Sequence, residues 1–131
     1  MLSKGLRDEE KEEIDRVLST MQEMGFVPDL WEKEQRELLN KKLEKILELS
    51  LNDIENIKTE DLLERLKNKG FEFSHYENFG DILIKTIPLE PEEKEVSLAS
   101  HAIAVYETAQ KESNMFSFGL MQKINTAKSY I

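Results

Sequence analysis

The sequence predicts an all-α protein, a compact array or bundle of about five to six helices whose C-terminal pair forms an antiparallel helical hairpin. Three observations carry that prediction. Apolar residues recur three and four positions apart along most of the chain, the spacing that gathers them on one side of a helix. Helix-capping residues stand at the breaks between those runs, at Thr59, Ser74 and Ser117. The composition, 39% hydrophobic and 34% charged, suits helices with one apolar stripe and a broad solvated face. A chain of 131 residues has the size of one domain, with residues 1–31 read as a peripheral N-terminal helix and arm.

The elements follow in order. From Arg7 to Met24, the residues Ile14, Val17, Leu18, Met21 and Met24 share one stripe, and Asp8, Glu9 and Glu10 place negative charge where the helix dipole favours it. Gly25 and Pro28 stop this helix. A second helix is expected from near Asp29 to about Ser50 with the stripe Leu39, Leu43, Ile46 and Leu47, and Ser50 with Asp53 caps a short following turn. Thr59 is the expected cap of a third helix, striped by Leu62, Leu63 and Leu66 and closed by Lys67 and Lys69 before Gly70. Ser74 and Glu77 have the spacing of a capping box for a fourth, with Phe79, Ile82 and Leu83 inward and Pro88 at its end. The run Ile82-Leu83-Ile84 also suits a strand, but no partner strand is evident. Pro91 opens a fifth helix to about Glu112, on which Val96, Ala99, Ile103 and Tyr106 share a face beside Ala102 and Ala109. Ser117 caps a sixth, in which Leu120, Met121, Ile124 and Ala127 form the stripe and Phe116 pairs with Met121 as a hydrophobic staple.

The stretch from Leu38 to Ile131, with Ala102-Ile103-Ala104-Val105-Tyr106-Glu107 and then Phe116-Ser117-Phe118, resembles uncharacterised small helical proteins of bacteria. In those, a Leu-rich helical pair precedes a hairpin similar to a tetratricopeptide unit. The resemblance implies that helical texture and an interaction role, and it supplies no catalytic residue. The chain departs from the full tetratricopeptide signature: Trp31 lacks the residues that follow it there, and no Pro closes the last helix.

Charge narrows the classes of partner. A net charge of −9 opposes phosphate binding, so no nucleic acid is expected. Residues 74–112 carry eight acids and three bases, whereas residues 113–131 carry no acid and two bases, Lys123 and Lys128. The last segment therefore suits packing against the acidic one before it. The polar face of the first helix is mostly acidic, the wrong sign for anionic lipid, and no apolar run reaches membrane-spanning length, so no membrane partner is expected. Without cysteines there is no thiolate chemistry, and Met1-Leu2-Ser3-Lys4 leads into charge rather than a signal core, which makes a cytoplasmic address the default.

Chemistry has few carriers. His75, beside the Ser74 cap, reads either as an acid–base group at the positive end of a helix or as an ordinary surface residue. Glu72 and His75 match half of the Glu-x-x-His pattern of di-iron bundles, but the pair straddles the expected cap and no second pair exists, so no metal or other cofactor is expected. His101 could face a cleft with Tyr106 or Glu107, or border the core and hydrogen-bond a neighbour. Glu77 and Asp81, four apart, could share a proton or hold a cation, and the run Glu90–Glu95 reads as a solvated helix start. No phosphate loop and no Gly-x-Ser-x-Gly elbow occurs.

Two functional expectations follow. The first is a non-enzymatic interaction or scaffold protein, binding a protein partner or itself through Phe26, Leu30 and Trp31, which otherwise pack the first helix onto the core. The second is a small-molecule binder or enzyme with an interhelical cleft holding His101, Tyr106 and neighbouring acids, with His75 as a further candidate.

Overall fold

Seven helices build the molecule in the computed structural model, which describes residues 2–114 and 117–131, with side chains from Glu9 onward. They are α1 (Leu2–Glu23), α2, α3 (Leu51–Asn56), α4 (Thr59–Asn68), α5 (Phe73–Thr86), α6 (Glu95–Ser113) and α7 (Phe118–Lys128). Helix α2 is a composite. A first turn over Pro28–Leu30 and a π-turn over Trp31–Gln35 lead into Arg36–Leu47 with right-handed helical backbone at both junctions. No strand occurs among the described residues.

Helix α6 is the centre. It packs most extensively on α5, then on α7, and also touches α3 and α4, while α1 lies across α5 and α2. Small residues make this possible: Ala99, Ala102 and Ala109 are buried on α6 with Leu98, Val105 and Tyr106, and alanines let neighbouring axes approach. The inward face of α6 is rotated from the expected one. Val96 is 53% exposed and Ile103 half-buried, while Leu98 and Val105 are buried in their place. The stripes of α1 (Ile14, Val17, Leu18, Met21) and α2 (Leu39, Leu43, Ile46, Leu47) are buried as their spacing predicts. At about 1.5–3 kcal/mol for each buried large aliphatic side chain, α1 is part of the core rather than a peripheral arm.

Local chemistry sets the ends. Ser50 and Asp53 form the capping box of α3, and Ser117 Oγ accepts from the Leu120 amide at the start of α7. The chain leaves α4 through a Schellman turn, in which Gly70 takes φ +83°, its N–H reaches the Lys67 carbonyl and the Phe71 N–H the Leu66 carbonyl. At the end of α2, Glu48 is left-handed (φ 61°), and Arg65 donates to the Leu47 carbonyl at 2.9 Å.

Two expected caps and one expected core residue differ. Lys58, not Thr59, is the N-cap of α4, and the Thr59 hydroxyl turns instead to His101. Helix α5 starts two residues early, on Glu72 rather than Ser74, because the Schellman turn draws Phe71 into the core and leaves Glu72 extended. Met121 is 38% exposed instead of lining the core with Leu120, Ile124 and Ala127. The expected Phe116–Met121 staple lies outside the described residues, since Phe116 is not among them.

Candidate functional site

Both histidines are inside the protein. His75 is the third residue of α5, and its Nδ1 accepts the Glu72 backbone N–H at 2.8 Å while the Glu72 side chain accepts the His75 amide. The Glu-x-x-His spacing is thus a capping box with imidazole in the place usually held by glutamate. Nδ1 as acceptor puts the proton on Nε2, which lies 2.6 Å from Asp15 Oδ1 of α1 but off the axis of a well-formed hydrogen bond. His75 is 2% exposed, which corrects the expectation of a ring near solvent.

His101, 3% exposed, is set against the C-terminal end of α3 and the start of α4. Its Nδ1 lies 3.1 Å from Thr59 Oγ1. Burial lowers its pKa, and the backbone carbonyls of Ile54 and Ile57, which favour the protonated ring, do not offset that loss of water. His101 ties α6 to α3 and α4, as Ser97 does by donating to the Glu55 carbonyl at 2.6 Å.

Tyr106, by contrast, does line a cleft. An open depression of about 660 Å³ lies between α1, α5, α6 and α7, lined by residues including Gln22, Tyr106, Gln122 and Lys123. Tyr106 donates to Asp81 Oδ1 at 2.7 Å, and Lys123 Nζ bridges Asp81 Oδ2 (3.0 Å) and Glu77 Oε2 (2.7 Å). Gln22 Nε2 adds a 3.2 Å contact to Asp81 Oδ2 from α1. Burial, then the Asp81 carboxylate, pushes the Tyr106 phenol far up. Burial alone would lower the Lys123 pKa, but the hydrogen bonds and charges of Glu77 and Asp81 outweigh it and raise it. Glu77 and Asp81 do hold a cation, and that cation is the Lys123 ammonium. The tie joins the acid-free last helix to the acidic segment before it, as the charge pattern predicts. Gln22, Glu77, Asp81, Tyr106 and Lys123 are engaged with one another, and His101 and His75 are not among the residues that line this cleft.

A second polar cluster was not visible in the sequence. Arg36 of α2 places Nε 2.9 Å from Glu90 Oε1 and a terminal nitrogen 3.5 Å from Glu55 Oε1 of α3. Trp31 Nε1 lies 3.4 Å from Glu90 Oε2. The Glu55 and Glu90 side chains are 2% and 5% exposed, against 29% for Arg36. Desolvation, then the adjoining Glu90 carboxylate, pushes the Glu55 carboxyl up to about 7, while Arg36 and Lys94 draw it down. Glu90 belongs to the run expected to be a solvated helix start, but a 3-10 turn over Ile87–Leu89 folds it back onto Trp31.

The three expected interface residues are divided by the structure. Trp31 is 1% exposed in the core, and Phe26, half-buried, meets its ring edge-on at 5.0 Å. Leu30 is 41% exposed, beside Val27 (43%) and Leu38 (46%). The π-turn explains the alignment. One α-turn of about 3.6 residues and one π-turn of about 4.4 span eight positions, so Leu38 returns beneath Leu30 on the outside as Leu39 does beneath Trp31 on the inside. Asp29, Glu32, Glu34 and Glu37 are exposed along the same stretch, with Lys33 the one exposed base among them.

Among the described residues no group of three or more acidic or histidine side chains is placed to hold a metal ion, and no helix is long and apolar enough to cross a membrane. No family model matches the chain, and no curated protein or solved structure matches it either.

Proposed function

We propose that this chain is a non-enzymatic helical interaction domain that receives a basic, apolar protein segment on the outward strip of α2. One observation carries the reading: Leu30 and Leu38, with Val27 at the extended N-cap, are exposed on a helix that buries Trp31, Leu39 and Leu43 in the core, and exposed acids outnumber the one exposed base along the same stretch. An aliphatic strip with an acidic margin complements an amphipathic helix with basic flanks. A second copy of this chain, itself at −9, meets that margin with like charge. The resemblance to bacterial helical proteins with a tetratricopeptide-like hairpin agrees with such a role. The alternative, a ligand or substrate in the Tyr106 cleft, has less support, because Asp81, Lys123 and Gln22 are spent on one another.

Deleting residues 1–31 is a poor test, since it removes Leu18, Met21 and Trp31 from the core. Two exposed substitutions are better. A fluorescein-labelled amphipathic Leu–Lys peptide is expected to bind the full chain, and its Leu–Glu counterpart is not. The double variant Leu30→Ser/Leu38→Ser should lose at least tenfold in affinity while keeping its helical circular dichroism. Equal binding of the Leu–Lys peptide to the wild type and the double variant contradicts the proposal.

A further inference from the structure

We propose that the carboxyl groups of Glu55 and Glu90, gathered with Arg36 between α2, α3 and the α5–α6 connection, hold one proton between them and form a pH-sensitive clasp on the first turns of α2. Glu90 receives the Arg36 Nε–H at 2.9 Å on one oxygen and faces the Trp31 indole N–H at 3.4 Å on the other, so it is served as a carboxylate. Glu55 is not. Its Oε1 has only a long 3.5 Å contact to Arg36, and its Oε2 is sealed from solvent and meets no donor among the described residues.

Two carboxylates and one guanidinium leave a surplus negative charge in a place closed to water, which is the costly arrangement. One proton on Glu55 removes the surplus and turns an acceptor-to-acceptor contact with Glu90 into a hydrogen bond. The charged groups facing the pair come from each neighbouring element. Arg36, with the Trp31 indole, is supplied by α2, and Lys94 by the second 3-10 turn, with its Nζ 3.4 Å from Asn56 Oδ1 of α3. Burial and Glu90 outweigh both cations and carry the Glu55 carboxyl to about 7. The proton is therefore present in mildly acidic solution and lost in mildly alkaline solution. Its loss sets Glu55 and Glu90 against each other, and the contact that yields is the one holding Trp31 and the first turns of α2 to the connection.

The test is a carboxyl-carbon NMR titration of the full chain, read with the indole N–H of Trp31, the one tryptophan in the sequence. The Glu55 carboxyl is expected to titrate near 7 rather than near 4.5, and the indole resonance should move with the same midpoint while its hydrogen exchange speeds up above it. Glu55→Gln supplies the missing donor permanently, so in that variant the indole response should vanish. Should the variant not fold, the wild-type titration decides alone. A Glu55 midpoint in the ordinary glutamate range overturns the proposal, as does an indole signal that stays unchanged from pH 5 to 9.

Discussion

Gly80→Ala probes the centre of the fold. Gly80 is buried in α5 under the ring of Tyr106 from α6, and a Cβ there would stand 2.6 Å from Cε1 and 2.9 Å from Cδ1 and Cζ. Carbon atoms meet comfortably at about 3.5–4.0 Å, so the ring must retreat by about 1 Å. That retreat is costly, since Tyr106 is 1% exposed and its hydroxyl is held on Asp81 at 2.7 Å. Overpacking of this kind costs about 1–3 kcal/mol, and loss of a hydrogen bond to a charged group costs about 1.5–3 kcal/mol. Alanine in place of a mid-helix glycine returns about 1 kcal/mol. The net expectation is a destabilisation of about 2–4 kcal/mol, or roughly 10 °C in Tm for a chain of this size. Thermal and urea unfolding followed by circular dichroism measure it. Gly119→Ala is the control: its nearest new contact is Ser117 Oγ at 3.6 Å, so it should be neutral or slightly stabilising. A Gly80→Ala variant as stable as wild type would refute the close packing of α5 on α6.

Three further outcomes follow from the same geometry. Tyr106→Phe keeps the ring but removes the donor to Asp81, and urea unfolding should report a loss of about 1.5–3 kcal/mol; an unchanged midpoint counts against the hydrogen bond. Arg36→Met strips the Arg36 guanidinium from Glu55 and Glu90, with an expected cost of about 3–5 kcal/mol at pH 8 that shrinks at pH 5; a cost independent of pH contradicts the charge assignment. For Glu55 the folded pKa, about 7, lies above the ordinary 4.5, so its contribution to stability is complete below about 4.5 and is lost as pH rises through 7. His101 acts with opposite sign, because its lowered pKa gives stability above about 6.5 that is lost on acidification. The difference between wild type and Glu55→Gln isolates the first effect. The variant should gain relative to wild type from pH 5 to 8, by at most about 3 kcal/mol, and a flat difference in chemical denaturation argues against it.

What could be read in the sequence was local or periodic. The stripe of α1 and that of α2 needed only spacing, and Ser50, Ser117 and Gly70 marked their turns because each backbone conformation favours that residue type. The pairing of Lys123 with the acidic segment followed from one acid-free helix beside an acidic one. Where tertiary contacts competed with a local rule, the local rule lost: Thr59 gave its hydroxyl to His101, and His75 took the capping position of a glutamate. Val96 and Met121 were misplaced because each lies at the margin of its stripe, where one small rotation of the helix decides the side. The Glu55–Glu90 pair was illegible for a different reason. Its members are far apart in sequence, and only the folding of a 3-10 turn onto Trp31 brings them together. Leu30 and Leu38 come into line only through the π-turn, which no helical periodicity of 3.6 would place.

The docking strip on α2 is tested most directly by backbone-amide NMR of the full chain titrated with the amphipathic Leu–Lys peptide. The account predicts that shift changes gather on residues 27–38, with Val27, Leu30 and Leu38 at their centre, and disappear in Leu30→Ser/Leu38→Ser. Changes spread evenly over the acidic surface, or gathered instead around the Tyr106 cleft, would contradict it.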